Sequence, residues 1–552
     1  MALRNFIVLR RFNLSPRLGM IKVVIKRCAR RILFCGLPTA VLLCGVTPAW
    51  ALEASSFYEL NGSAEFDIFG AAIASIGDID GDGVPDFVVG VPRTNANDIG
   101  SAFVFSGVDG GLIYSFNGLN AGDNFGISVA GTGDVNGDGV PDIAVGAPFM
   151  TVNGQVLLGS VFYFSGNDGS LIRRINGDPQ TSTLGGAIAN AGDLNGDGVP
   201  ELIVGAAVAS PTNFATGVGS ILVYSGATGS TLLRIDGTVT GENFGELVAS
   251  AGDVNGDAVP DILVGLPKAS PAGLFTAGSV FVFSGLNGDQ LLRFDGSIEF
   301  ANFGSSITTV GDINGDGQSD IIIGDPSFEL FNGRVFAFSG KDGTELWRVD
   351  DTNSSVSFGY TVASAGDVNG DGVPDVLVGD PNASGLSGSV FFLSGVDGAQ
   401  LLRIDGAGGG FGRALASAGD LNGDQVPDVI IGAKDADPSG FTSAGTVFIS
   451  LIADSEDGNT ASFSDGVLSI PIVQVGDIYY RVDLILTDEE ALEFQLGPAE
   501  QIFDPNTVGI SSFSNNVLSI PEVIVGNTSF RVELTLTNST TITFVLSDFE
   551  EL

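Results

Sequence analysis

The chain has 552 residues, 44% of them apolar, with 80 glycines, 39 phenylalanines, no histidine and a formal net charge of −42. The apolar share is enough for a sizeable core, and so acidic a surface repels nucleic acid and anionic lipid while collecting divalent cations. The missing histidine excludes Ser-His-Asp and Cys-His nucleophiles and histidine-ligated zinc.

The first 51 residues hold nine of the 23 basic residues and no acidic one. An apolar stretch, Ile32 to Val46, leads to Ala49-Trp50-Ala51, the small-x-small pattern of a signal-peptidase site. This predicts an export leader, 1–51, cleaved after Ala51, with Met20 as an alternative start, and hence a secreted or cell-surface protein. The stretch is too short to span a bilayer, and no later run is longer, so the mature chain is expected to have no membrane span. All three cysteines, Cys28, Cys35 and Cys44, lie in the leader, so stability outside the cell must come from packing and metal.

From Phe57 to Leu451 one pattern recurs seven times. A Phe-Gly pair (Phe69-Gly70, Phe125-Gly126, Phe244-Gly245, Phe303-Gly304, Phe358-Gly359, Phe411-Gly412, with Leu184-Gly185 in the third copy) precedes a strand-like run, an acidic loop and a second apolar run. A variable connection, a third strand such as GSVFVFSG, a Gly-rich turn and a fourth strand such as LLRIDG complete the unit. Four short runs rich in β-branched and aromatic residues, separated by Gly/Asn/Asp turns, predict an antiparallel meander. The loops open 53 to 60 residues apart, a period fit for one four-stranded sheet.

Each acidic loop reads Asp-x-Asn/Asp-x-Asp at positions 1, 3 and 5, with an acid at 9. In chain order these residues are Asp78, Asp80, Asp82, Asp86; Asp134, Asn136, Asp138, Asp142; Asp193, Asn195, Asp197, Glu201; and Asp253, Asn255, Asp257, Asp261. The last three loops offer Asp312, Asn314, Asp316, Asp320; Asp367, Asn369, Asp371, Asp375; and Asp420, Asn422, Asp424, Asp428. Oxygens at these positions, with a backbone carbonyl at 7, suit a hard cation of calcium size, so up to seven Ca²⁺ are expected; magnesium prefers a smaller octahedral shell. An EF-hand needs a carboxylate at position 12, where the first copy has Val89, and helical flanks. Glycine at position 6 permits a positive φ; Ala258 and Gln425 replace it in loops four and seven, which makes those two sites the doubtful ones.

The whole unit resembles the FG-GAP repeat of the integrin α-subunit β-propeller, over most of the chain beyond the leader. The resemblance implies an all-β fold: a seven-bladed β-propeller of four-stranded antiparallel blades over 52–453. The seventh copy stops after its third strand, Thr446 to Leu451, while a fourth-strand equivalent, Phe57 to Gly62, precedes the first Phe-Gly. The N-terminal strand is therefore expected to complete the last blade and close the ring. Recurrent Arg174, Arg234, Arg293, Arg348 and Arg403 on the fourth strands read as repeated structural contacts.

Beyond 454 two copies of another unit start at Ala461 and Ser511, an offset of 50 residues, with alternation in Arg481 to Leu486 and Arg531 to Leu536. A small β-rich C-terminal region, 454–552, is expected. Seven-fold repetition of the acids suggests architecture rather than a catalytic pocket, and the resemblance implies a non-catalytic recognition or adhesion protein with an extracellular protein or polysaccharide ligand. A secreted hydrolase or its carbohydrate- or lipid-directing subunit, and a passive surface or matrix protein, are the alternatives. The variable connections between second and third strands carry apolar residues, among them Phe149, Met150, Phe214, Leu274, Phe275, Phe328, Phe331 and Phe441, and are the expected partner face.

Overall fold

The computed structural model describes 6–7, then 52–454 apart from 94–98, 211–216, 328–332, 352–356 and 439–440, and beyond 454 the strands only. The expected leader, 1–51, lies outside the described residues except for a two-residue strand, Phe6–Ile7. One unit, Ala54–Ile452, holds seven sheets of four antiparallel strands, and these are the seven blades.

Blade one is built from Ala72–Gly77, Asp86–Val91, Ser101–Phe105 and Leu112–Asn117 in sequence order. Its second strand is buried at every residue, as is its counterpart in each of the other blades. This is why that run reads as continuous apolar residues rather than alternating ones: both sheet faces are covered by neighbouring blades. The first strands pack against one another round the ring, the seventh (Ala414–Gly419) against the first, and so form its inner wall.

The Phe-Gly pair is an inter-blade wedge. Phe125 is buried in a core shared by blades one and two, with Val104, Phe116, Val145 and Phe162. Gly126 has φ +88°, and a Cβ there would overlap the Ser101 carbonyl of the preceding blade, so only glycine lets the chain pass. A second set of contacts runs along the rim. The hydroxyl of Tyr114, on the outer strand of blade one, donates to the Asn167 carbonyl of blade two at 2.9 Å, and the Trp347 indole donates to Gly395 at 2.7 Å.

The strand Leu52–Asn61 joins the seventh sheet outside Thr446–Asp454, as the closure argument requires. It also reproduces the side-chain contacts of an ordinary fourth strand. In blades one to four and six the first serine of strand three donates to an Asn or Asp at the end of strand four, for example Ser160 to Asn176 at 3.0 Å and Ser279 to Asp295 at 2.7 Å. In blade seven the Thr446 hydroxyl donates to Asn61 at 2.8 Å, and the Tyr58 hydroxyl reaches the Gly107 carbonyl of blade one at 3.0 Å.

The recurrent arginines are structural. Arg174, Arg293 and Arg403 lie over Phe162, Phe281 and Phe391, while Arg234, Arg293 and Arg403 pair with Asp236, Asp295 and Asp405.

The second unit includes 453–552, and its sheet carries both C-terminal copies. Each copy has a short strand followed by three long ones, and each short strand bridges the copies: Ala461–Ser464 pairs antiparallel with its own Val467–Val475 and in parallel with Val517–Val525, and Ser511–Ser514 antiparallel with its own Val517–Val525 and in parallel with Val467–Val475.

Candidate metal centres

Each acidic loop joins strands one and two of its blade, on the face shared with the turns between strands three and four. A β-bulge precedes every loop; in blade one it falls between Ser75 and Gly77 and turns the chain out of the ladder. Within the first loop Asp78 accepts the N–H groups of Gly81 at 2.7 Å and Gly83 at 2.9 Å. Asp80 accepts from Asp82 at 3.1 Å, and Asp82 from Val84 at 2.8 Å. These bonds hold the carboxylates towards one centre, and carboxylate oxygens of Asp78, Asp80 and Asp86 lie within 4.8 Å of one another. That spread is close to twice a Ca–O distance, about 4.6–5.2 Å, so the donor set fits a calcium-sized ion in both chemistry and span. Burial, with the charges of Asp82 and Asp78, raises the Asp80 pKa.

No other group of three carboxylates comes so close among the described residues. In loops two to six the position-3 asparagine turns its amide N–H towards the position-9 acid: Asn136 to Asp142 at 3.4 Å, Asn195 to Glu201 at 2.7 Å, Asn255 to Asp261 at 3.2 Å, Asn314 to Asp320 at 3.2 Å and Asn369 to Asp375 at 3.4 Å. Asn422 instead donates to Asp424 at 2.9 Å. The amide hydrogen thus sits where a cation's charge would act, and a half-turn of the amide exchanges donor for ligand oxygen.

Position 9 has a structural task that the sequence reading missed. Both oxygens of Asp86 accept backbone N–H groups, from Ile79 at 2.8 Å and from Gly107, after strand three, at 3.0 Å. Asp142, Asp261, Asp320, Asp375 and Asp428 make the same pair of bonds, the last to Leu421 and Ile452. All seven position-9 acids, Glu201 included, are buried. The signal was available: a Ser-Gly-type turn follows strand three in every copy but the last. Burial pushes the carboxyls of Asp86 and Asp261 up to about 6 and those of Asp375 and Asp428 up to about 7, with the other loop carboxylates adding to the rise.

Loops four and seven keep the same path without glycine. Ala258 and Gln425 adopt φ of +68° and +71°, and each donates its N–H to the position-1 aspartate at 2.9 Å, as Gly83 does.

On the opposite face, Phe275 (58% exposed) meets Phe300 (54% exposed) edge to face at 5.4 Å, and Phe149 and Phe441 are exposed as well. Met150 turns inward instead, fully buried in the core between blades one and two. Phe214, Phe328 and Phe331 lie outside the described residues. Among the described residues no helix is long and apolar enough to cross a membrane.

The FG-GAP repeat family model matches 69–105, 125–158, 184–224 and 411–450, and the FG-GAP-like repeat model matches 312–378. Integrin alpha-V of Gallus gallus is 33% identical over 234 residues, covering 40% of this chain and 22% of that protein. Integrin alpha-5 of Xenopus laevis is 31% identical, covering 36% and 20%, and integrin alpha pat-2 of Caenorhabditis briggsae 32% identical, covering 41% and 20%. The match thus spans about a fifth of the length of these relatives. With Phe-Gly wedges between seven four-stranded blades and an acidic loop in each, the chain is an FG-GAP repeat protein with an integrin-α-like propeller.

Proposed function

We propose that this chain is an exported, calcium-stabilised recognition or adhesion protein without a catalytic centre. The observation that carries the reading is the convergence of Asp78, Asp80 and Asp86 in a loop whose plan recurs in all seven blades. The 28 side chains at positions 1, 3, 5 and 9 would hold up to seven ions. Bound calcium would supply countercharge, offsetting the crowding of acids in each loop. With free calcium tenfold above its dissociation constant, each site would add about 1.4 kcal/mol, and seven together rival the stability of a whole domain.

On this reading 1–51 is removed on export, 52–453 is the recognition module and 454–552 a separate β region. The calcium loops occupy one face and hold the blades in register. An extracellular protein or polysaccharide docks on the other face, where the Phe275–Phe300 pair offers exposed aromatic surface. Thorough chelation should lower the melting temperature strongly, with calcium restoring it better than magnesium; an unchanged melting curve would falsify the calcium assignment. Capture of ligands from surface extracts should be lost in a Phe275→Ser/Phe300→Ser variant that melts normally. Undiminished capture by that variant rules out this docking face.

A further inference from the structure

In loops two to seven the position-3 residue is an asparagine followed by glycine: Asn136, Asn195, Asn255, Asn314, Asn369 and Asn422. An Asn-Gly pair can react with itself, because a backbone nitrogen with no Cβ beside it is able to reach the asparagine Cγ. Whether it does so depends on what holds that nitrogen. In five loops the glycine N–H is tied to the position-1 aspartate: Gly137 to Asp134, Gly196 to Asp193, Gly256 to Asp253 and Gly315 to Asp312, each at 2.7 Å, and Gly423 to Asp420 at 2.6 Å. The bond keeps the nitrogen in place, and the carboxylate next to it opposes loss of the N–H proton.

Loop six differs at this one bond. Asp367 accepts from Asp371 at 3.1 Å and from Gly372 at 2.8 Å, while the Gly370 N–H has no acceptor among the described residues. Gly370 is exposed, with φ +71°, and a Cβ added to it would meet no atom within 4 Å, so nothing obstructs the nitrogen or the approach of water. The electrophile is also set out: Oδ1 of Asn369 accepts the Asp371 N–H at 2.9 Å, a donor placed where negative charge gathers when Cγ is attacked. The same bond lies at 2.8 or 2.9 Å in the other five loops, so the nitrogen alone distinguishes loop six.

From this comparison we infer that Asn369 is a self-modification site, at which the Gly370 nitrogen attacks Cγ and the asparagine becomes an acid. As the N–Cγ bond forms, the Gly370 N–H proton passes through water to Nδ2; the Cγ–Nδ2 bond then breaks and ammonia leaves, giving a cyclic imide. Water is the only co-reactant, and nothing is oxidised or reduced. Its addition at Cγ opens the imide to an ordinary aspartate, and its addition at the Asn369 backbone carbonyl opens it to an isoaspartate. The ordinary product gives loop six the composition of loop one, where Asp80 stands at this position and accepts the Asp82 N–H at 3.1 Å. A carboxylate in place of the amide adds a charged ligand oxygen, so the aspartate form should hold calcium about tenfold more tightly. The modification does not rest on the calcium assignment; only this consequence does.

The test is peptide mapping by mass spectrometry of the full chain, kept folded in calcium and mildly alkaline buffer for several weeks. Asn369 should convert to an acid about tenfold or more faster than Asn136, Asn195, Asn255, Asn314 and Asn422, whose neighbours must first give up a charge-assisted hydrogen bond. Asn153-Gly154, in an exposed turn where the Gly154 N–H also has no acceptor among the described residues, is the internal reference for an unrestrained pair. Gly370→Ala sets a Cβ beside the nitrogen and should slow Asn369 by about tenfold or more. Its melting curve should stay close to the parent's, since Ala258 already holds a positive φ in loop four. Conversion of all six loop asparagines at one rate, conversion of Asn153 with Asn369 intact, no conversion at all, or equal conversion of Asn369 in the alanine variant overturns the assignment. Asn369→Asp should lower the calcium needed to raise the melting temperature; an unchanged requirement beside a converting Asn369 would refute the calcium role of position 3 and uphold the modification.

Discussion

Ala258 and Gln425 sit in left-handed backbone that their counterparts leave to glycine, and a Cβ at the equivalent Gly83 meets no atom within 4 Å, so their cost is one of backbone conformation rather than collision. That conformation costs a non-glycine residue about 1–2 kcal/mol, and glycine's greater freedom in the unfolded chain takes back up to about 1 kcal/mol. Ala258→Gly and Gln425→Gly should therefore each stabilise the propeller by roughly 0.5–1 kcal/mol, visible as a higher denaturation midpoint in calcium. Position 9 is a different matter. Asp375→Ala would orphan the buried N–H groups of Val368 and Gly395 and should cost about 3 kcal/mol or more, with calcium giving no recovery. Asp371→Ala removes only an exposed loop acceptor, so its loss should shrink as calcium is raised. Equal calcium dependence of the two variants would argue that position 9 is purely a ligand. The sequence marks these residues as candidate ligands because the loop spacing is local; the bonds to Gly395 and its equivalents join residues about 20 apart and become visible only once strand three is paired.

Among the elements, blade five replaces the usual serine by a charge. Where most second strands end in an apolar residue such as Val91, Ala147 or Ala206, those of blades five and six end in a buried aspartate, Asp325 and Asp380; Asp325 is paired at 2.8 Å with Arg334, which stands where blade six has Ser389. Burial pushes the Asp325 carboxyl up to about 6, against the pull of Arg334. Asp325→Ala alone should cost about 3 kcal/mol by removing the nearest countercharge of a buried guanidinium, leaving Asp350 at 3.9 Å, whereas Asp325→Ala with Arg334→Ser, which restores the plan of blade three, should fall within about 1 kcal/mol of the parent. Additive losses in that cycle would show that the pair is not coupled. The folded carboxyl holds its proton more tightly than the unfolded one, whose pKa is about 3.9. Its contribution to stability is therefore greatest below about pH 4, declines as pH rises through about 6 and is flat above. The double variant should lack that slope. Strand order was legible from apolar runs between turn residues, whereas nothing local marks the end of strand two as enclosed, and so nothing in the sequence singles out Asp325 and Arg334 as a buried pair.

At the scale of the molecule, seven copies and a displaced fourth strand were enough to anticipate the ring. The contacts that tighten it, Tyr58 on Gly107 and Trp347 on Gly395, were not, since an aromatic on an outer strand looks the same whether it faces solvent or the next blade. Deleting 52–62 should open blade seven and expose Thr446–Asp454 to proteolysis at native temperature; a truncated chain that stays monomeric and equally resistant would show that the strand is dispensable. The hydrogen bond between Thr446 and Asn61 spans 385 residues of chain. Asn61 leaves the ribosome long before its partner exists, so blades one to six can form in order of synthesis while the circle stays unsealed. Until Thr446–Asp454 has appeared, the earliest strand of the propeller is a loose end, available to any unpaired sheet edge nearby, including the seventh blade of another nascent copy. Dilution and prompt completion of the chain, rather than any property of the finished ring, then decide whether the molecule closes on itself or on its neighbour.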